Sequence, residues 1–298
     1  MNKIKIILIG NIINTYFLLK EILKYKDKFE IIVLTNKNYH KSDYFDLVCF
    51  CKKKKLTYYL TKNVNDNKTL NFIKKNTPDF IFCFGWSQIL NNKILKQAKK
   101  FSIGYHPSML PKNRGKHPLI WSIALGLKEI GSTFFKMSVD VDQGDIIDQR
   151  TIKIINKDNA TTVYKKMNKT SSKQIKEILQ KIIKSNLNLE KRTTNENKTN
   201  IWRKRYFNDG LIDWRISAKN IQNLVRSLNH PYPNASFKYN NKYVKLTEVK
   251  IVKKRYPNIE FGKIIKVEKN KPLVKCGDYA LKLIKFYPIE KFKKGSYL

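Results

Sequence analysis

The sequence predicts an α/β protein in two parts: a Rossmann-like, doubly wound, mostly parallel sheet, followed by a small β-barrel of OB type. Three observations lead there. Short, wholly apolar runs alternate with segments of helical periodicity over the first half of the chain, as buried parallel strands and their crossover helices do. Two of those runs open into loops that carry Gly and chemically versatile residues, Phe84–Gln88 and Gly104–Gly115. Beyond Ile201 the texture changes to brief strand-like runs separated by turn residues.

Lys3–Gly10 reads as a buried strand closing on a glycine turn. A basic start before apolar residues has the outline of a signal peptide, but the run Ile6–Ile9 is too short for one and no small-residue cleavage site follows. Thr15–Lys26 has Phe17, Leu18, Ile22 and Leu23 at helical spacing, and Glu30–Thr35 is a second strand. Ser42 is a candidate cap for a helix over Asp43–Lys54, and Leu56–Leu60 is a short third strand. The densest charge cluster, Lys52–Lys55, fits the solvated C-terminal end of that helix, where cations suit the dipole, better than a phosphate site. Leu70–Asn76 is a helix end closed by Pro78, and Asp79–Trp86 is a strongly apolar strand. Asn91–Lys100 is helical and Ser102–Tyr105 is another short strand. In a sheet with this alternation ligands bind beyond the carboxyl ends of the strands.

Ile120–Leu127 is helical, Ser132–Met137 a strand, Asp140–Asp145 an acidic turn and Asp148–Ile155 a strand. Asn159–Asn186 is a long amphipathic helix. The predicted domains are residues 1–188, a polar linker over 189–204, and 205–298. In the last, Ser217–Leu228 is a helix with Ile221, Leu224, Val225 and Leu228 on one face, followed by a turn over Pro231–Asn234. The barrel strands are Ala235–Tyr239, Lys242–Lys253, Gly262–Glu268, Pro272–Lys275 and Tyr279–Phe286. No internal repeat is present.

The chain carries 61 basic and 23 acidic residues, a formal net charge of +38, for which nucleic acid is the ready explanation. Residue types argue otherwise. Only 8 of the basic residues are Arg, against 53 Lys, and Asn numbers 30 against 6 Ala, a pattern that AT-rich coding produces without selection for binding. Phosphate-reading surfaces favour the planar fork of Arg. The charge is also evenly spread, at +24 over residues 1–204 and +14 over residues 205–298, so neither half is a specialised basic domain. Four cysteines without a C-x-x-C pair argue against a disulfide scaffold and a zinc ribbon. No apolar run approaches the ~18 residues of a membrane span, so no membrane partner and a cytoplasmic location are expected.

His106 follows a strand and opens the Pro-framed loop Pro107–Gly115; Asp142 lies in the acidic turn after another strand. A lone His is usually structural and an acidic turn usually just a turn, but a carboxylate placed to orient a His is what general acid–base catalysis needs. The pair does not by itself name a reaction.

The surrounding text does. Gly104-Tyr-His-Pro-Ser-Met-Leu-Pro-Lys-Asn-Arg-Gly115, Trp121–Gly126, Gly131-Ser-Thr-Phe-Phe135 and Asp142-Gln-Gly-Asp-Ile146 together resemble the formyltransferase family, which moves a formyl group from 10-formyltetrahydrofolate to an amine. The resemblance continues through Asp209–Trp214, Asn223–Leu228 and Pro231–Ala235, similar to the C-terminal domain shared by methionyl-tRNA formyltransferase and several sugar-nucleotide N-formyltransferases. It covers nearly the whole chain.

The family's catalytic set is an Asn, a His two residues later and an Asp about 36 residues on. His106 and Asp142 match at that spacing, while the Asn position is Gly104. That departure removes a donor that helps polarise the formyl carbonyl, typically worth roughly 10²–10³ in rate. Another donor (Ser108, Asn113, a backbone N–H or protonated His106), a slow enzyme, or a fold that binds without catalysing are the three accounts; the retained pair favours the first. Tyr105 is a poor substitute because strand alternation points it to the opposite face.

The resemblance implies direct acyl transfer with no metal and no covalent enzyme intermediate. It implies a pterin pocket lined by Phe84, Gly85, Trp86, Ser87, Gln88, Ile89 and Leu90, largely through backbone groups, and closed by the loop bearing Asp140, Val141 and Asp145; core packing is the plain alternative for Trp86. For the acceptor, methionyl-tRNA formyltransferase has a basic Arg- and Gly-rich insertion after the second strand, where this chain has the short Asn36–Ser42 without Arg or Gly. Arg114-Gly-Lys-His-Pro118 is more similar to enzymes acting on nucleotide-linked amino sugars, whose diphosphate Lys112, Arg114 and Lys116 would meet, with Ser108 beside them. The expected substrate is therefore a nucleotide-linked amino sugar. Charged initiator tRNA is the first alternative, and a degenerate binding protein the second. Glycinamide ribonucleotide transformylase lacks a domain like residues 205–298. The oligomeric state is open, a homodimer being one option.

Overall fold

The computed structural model describes residues 3–37, 39–190 and 199–298. The chain forms two compact units, one of residues 1–115, 130–152 and 165–201, the other of residues 116–129, 153–164 and 202–298. Each is described by itself.

The first unit holds a seven-stranded sheet of β1 (Ile4–Ile9), β2 (Phe29–Thr35), β3 (Thr57–Leu60), β4 (Phe80–Cys83), β5 (Phe101–His106), β7 (Glu129–Lys136) and β8 (Ile146–Lys153), with β6 (Arg114–Gly115) a two-residue strand outside it. Its order is β3-β2-β1-β4-β5-β7-β8. Pairing is parallel from β3 through β5, and β7 runs antiparallel to β5. This is the doubly wound, mostly parallel sheet the sequence predicts. The chain works outward from β1 to β3 and then returns to β4, so the β1–β4 boundary is a topological switch point.

The apolar runs fill both faces, as buried parallel strands must. Ile6, Leu8, Phe82, Phe84 and Ile103 share one core with Leu18, Leu19 and Ile22 of α1 (Ile13–Ile22) and with Ile175, Ile178 and Leu179. Ile7, Ile9, Ile81 and Cys83 point the other way, against Ile73 and Ile94. Successive residues alternate between the faces, and that alternation decides where His106 points.

Element boundaries show local chemistry at work. α2 spans Leu47–Lys54 rather than starting at Asp43: the Asp46 carboxylate, not Ser42, accepts the Cys49 amide at 3.0 Å. Its last turn holds Lys52, Lys53 and Lys54, and Lys55 closes it in the left-handed region, so the basic cluster is a helix end. α3 (Asn67–Asn76) begins before Leu70, capped by Asp66. α4 is a single turn, Asn92–Leu95, where a helix to Lys100 was expected. The Gln97 amide closes the turn on the Ile94 carbonyl, and Lys99 and Lys100 then bond back to Pro78 and Asp79, which leads the chain into β5.

In the second unit, α5 (Pro118–Ala124) and α7 (Ala218–Ser227) pack together, and Ile120 joins the core formed by Ile221 and Val225. Ser217 caps α7, its hydroxyl oxygen accepting the Asn220 amide at 3.2 Å. Past the two-residue β9 (Ile201–Trp202), the five expected barrel strands, β10 (Ala235–Tyr239), β11 (Lys242–Val252), β12 (Ile264–Glu268), β13 (Lys271–Lys275) and β14 (Ala280–Tyr287), form one antiparallel sheet of order β10-β11-β14-β13-β12. α6 (Ala160–Ile183), the long helix read from Asn159, begins among residues of the second unit and continues through residues of the first, and Asn159 and Thr162 cap each other's amides. Of the expected linker, residues 191–198 lie outside the described residues. Among the described residues no helix is long and apolar enough to cross a membrane.

Candidate active site

β5 delivers two residues to the face away from the α1 core. Tyr105, with Ile103, packs into that core, where burial pushes its hydroxyl pKa up and the hydroxyl meets Ser132 at 3.0 Å. Gly104 and His106 therefore face the opposite side, as alternation requires.

His106 is 8% exposed at the carboxyl end of the strand. Its Nδ1 lies 3.7 Å from Asp142 Oδ2, and its Nε2 lies 3.4 Å from the Asn113 carbonyl. The carbonyl can only accept, so Nε2 carries the proton in that contact. The same Asp142 oxygen faces the Gly115 amide at 3.5 Å. Contacts this long are typical of catalytic groups without substrate and tighten in the complex. The structure thus brings together His106, Asp142 and the far end of the Pro-framed loop.

Asp142 adopts a left-handed backbone, φ 57°, which Asp tolerates better than most residues. Gly144 fixes the turn that carries it. A Cβ at Gly144 would lie 1.5 Å from the Lys136 carbonyl oxygen, so only glycine lets the two backbones meet, and the neighbouring Lys136 amide bonds the Asp145 carbonyl at 2.8 Å.

Gly104 is buried opposite Cys83 of β4 and Phe135 of β7. A Cβ there would lie 2.6 Å from Phe135 Cζ and 3.0 Å from Met137 Cγ. The Phe135 ring occupies the space through which a side chain from position 104 would leave.

The loop after β4 is braced at almost every residue. Phe84 and Leu90 are core side chains; the Phe84 carbonyl accepts the Thr15 hydroxyl at 2.5 Å. Gly85 has φ 71° and its carbonyl accepts the Lys41 ammonium at 3.2 Å. Gln88 bonds the Val64 amide and the Lys62 carbonyl, and the Ile89 carbonyl accepts from Asn65. Trp86 leans on the second core, yet its buried Nε1 finds no acceptor among the described residues. Ser87 and Ile89 are exposed, as are Val139, Asp140 and Val141 on the loop opposite in sequence. A buried indole donor beside exposed Ile89 fits a flat heterocycle with polar edges such as a pterin.

In the Pro-framed loop Ser108 is buried; its amide bonds the His106 carbonyl, its carbonyl accepts the Thr133 hydroxyl, and its Oγ has no partner. Lys112 is exposed. The Arg114 amide bonds the Asn200 carbonyl and its buried Nε is unpartnered. Lys116 belongs to the second unit, where its amide bonds the Trp202 carbonyl.

Two residues absent from the sequence reading also stand at the strand ends. Asn11, fully buried just past β1, donates to Asn36 Oδ1 at 2.6 Å and accepts the Lys41 ammonium at 3.0 Å. Asn11 follows Gly10 at the end of the first strand, which is the signal that could have drawn attention to it; Lys41 lies in a segment noticed only for lacking Arg and Gly.

Comparison with known proteins completes the description. The Formyl transferase family model matches residues 5–179, and the model of the Formyl transferase C-terminal domain matches residues 207–293. The chain belongs to the formyl transferase family. The bifunctional polymyxin resistance protein ArnA of Wigglesworthia glossinidia brevipalpis is 38% identical over 193 residues, covering 64% of this chain and 29% of that protein. The methionyl-tRNA formyltransferase of Buchnera aphidicola subsp. Acyrthosiphon pisum (strain APS) is 32% identical over 209 residues, covering 70% of this chain and 66% of the enzyme. The match thus spans less than a third of the first relative and about two thirds of the second. Among solved structures, the N-formyltransferase from Helicobacter canadensis, in complex with folinic acid and dTDP-3-aminofucose, superposes with a TM-score of 0.70 at 18% identity, covering 95% of this chain and 100% of that one. At that identity the likeness is one of fold.

Proposed function

We propose that this protein transfers a formyl group from 10-formyltetrahydrofolate to the amine of a nucleotide-linked amino sugar. The observation that carries the reading is the His106–Asp142 pair at the carboxyl end of β5, 3.7 Å apart and flanked by the Gly115 amide, in a chain of this family.

The co-substrate supplies an activated formyl carbon. Trp86 and the backbone of the Gly85–Ile89 loop would hold its ring, and the exposed Val139 and Val141 would cover it. His106 faces the reacting centre. As the amine lone pair forms the new C–N bond, the carbonyl π pair moves onto oxygen; when the carbonyl re-forms, the bond to the folate nitrogen breaks. His106 takes the proton that the attacking nitrogen sheds, Asp142 stabilises the resulting imidazolium, and one proton is returned to the departing folate nitrogen. The products are an N-formyl amine and tetrahydrofolate.

The preference for a sugar over tRNA rests on the segment after β2. Its second half is tied to the strand ends: Lys41 bonds Asn11 and Gly85, Phe45 donates its amide to the Asn11 carbonyl, and the Asp43 carbonyl accepts the Ile13 amide. A segment this short, without Arg or Gly, favours a small acceptor over a macromolecular one. Lys112 and Arg114 would meet a diphosphate.

The test supplies 10-formyltetrahydrofolate with a panel of UDP- and dTDP-linked amino sugars and, separately, with charged initiator tRNA. N-formyl sugar is the expected product. Formyl-methionyl-tRNA without any formyl sugar would overturn the assignment of the acceptor, and no product from either would overturn the activity.

A further inference from the structure

Position 104 offers no side chain to the oxyanion that formyl transfer creates, and Phe135 fills the space beside it. Besides the donors on β5 and its loop, a group from another element can reach the strand ends. The row Ile9–Cys83–Gly104 lies across β1, β4 and β5 in register. Two residues further along each strand come Asn11, Gly85 and His106. The Lys41 ammonium is seated on the first two members of that second row, 3.0 Å from Asn11 Oδ1 and 3.2 Å from the Gly85 carbonyl. It thus stands at the β1–β4 switch point, where doubly wound sheets bind their ligands, with His106 on the neighbouring strand.

The seat is built. Asn11 is fully buried, and donating its amide to Asn36 turns its carbonyl oxygen toward Lys41. Both atoms beneath the ammonium are neutral oxygens, which fix its position at the strand ends. The Cys83 thiol, in the first row, feels Lys41 and Asp142 with opposite sign, the ammonium lowering its pKa and the carboxylate raising it, although burial dominates and pushes it up to about 12.

We propose that Lys41 is a catalytic residue of this site, its ammonium stabilising the developing formyl oxyanion in place of the amide that position 104 lacks. Lys41 keeps its proton throughout; the proton transfers stay with His106 and Asp142. The proposal rests on the formyl-transfer reading above.

The test compares wild type with Lys41→Met and Lys41→Arg, using 10-formyltetrahydrofolate and whichever panel sugar the wild type formylates fastest. Binding of tetrahydrofolate, which has no formyl oxygen, is followed separately through quenching of tryptophan fluorescence. For Lys41→Met the expected result is a kcat lower by about 10²–10³-fold, the usual loss for one oxyanion donor, with tetrahydrofolate affinity within about twofold of wild type. Lys41→Arg should recover part of the rate because it keeps the charge. A kcat within threefold of wild type in Lys41→Met would overturn the proposal. So would a tetrahydrofolate affinity that weakens as much as the rate falls, since Lys41 would then only prop the Gly85 loop. A wild type that formylates neither sugar nor tRNA would bring down the functional reading itself, and this inference with it.

Discussion

Gly104 and Phe135 divide one space between them, and that makes the missing amide more than a point substitution. Gly104→Asn alone should destabilise the protein by about 1–3 kcal/mol, since its Cβ starts 2.6 Å from a ring that is 4% exposed. Adding Phe135→Leu should relieve part of that cost, measured by denaturant unfolding; equal stability of Gly104→Asn and wild type would show that the ring moves freely. His106→Ala and Asp142→Ala should each lower kcat by roughly 10²–10⁴-fold while leaving the melting temperature within a few degrees of wild type. Near-normal rates in both would dismiss the pair. These two residues were legible because each follows a strand and their spacing matches a known motif. Lys41 and Asn11 were not: what joins them is a strand order that runs outward from β1 and returns at β4, which no local pattern in the sequence displays.

At the scale of elements, strand content was read well because buried parallel strands announce themselves as unbroken apolar runs. Helix starts were read less well because Ser and Asp compete as caps. Asp46→Ala should cost about 1 kcal/mol through loss of the Cys49 bond, whereas Ser42→Ala, four residues before any helical hydrogen bond of α2, should be close to neutral. A larger loss in Ser42→Ala than in Asp46→Ala would return the helix start to Asp43. The over-long reading of α4 has a similar origin. Asn91–Lys100 carries apolar residues at helical spacing, but the chain must reach the start of β5, and backbone bonds to Pro78 and Asp79 take over after one turn. The loop bearing Asp142 depends on a single glycine, so Gly144→Ala should impair turnover as strongly as loss of Asp142, by forcing Lys136 and Asp145 apart.

Over the whole molecule, a net charge of +38 looks first like the footprint of a nucleic-acid binder, yet 53 of the 61 basic residues are Lys and the excess is spread over both halves of the chain. Lys24, Lys263, Lys266, Lys282 and Lys285 lie against nearby carboxylates on the surface, where such pairs are each worth little. Arg203 is bound more firmly. Its guanidinium and the Tyr206 amide hold Asp209 well below the usual carboxylate range. A depressed folded-state pKa contributes stability above the unfolded value near 3.9 and loses it as the pH falls toward the folded value. Asp209→Asn should therefore melt below wild type at neutral pH, the gap narrowing as the pH drops beneath about 4. A gap independent of pH would mean that Asp209 acts without its charge. On the proposed function, the charge that matters is local to the strand ends: Lys41, His106 and the loop bearing Lys112 and Arg114. The most direct test follows the formyl carbon itself. With carbon-13 in the formyl group of 10-formyltetrahydrofolate, the label should appear in the amide of a nucleotide-linked N-formyl sugar with the wild-type protein and stay on the folate with His106→Ala; label found on methionyl-tRNA instead, or passed equally well by His106→Ala, would contradict the account.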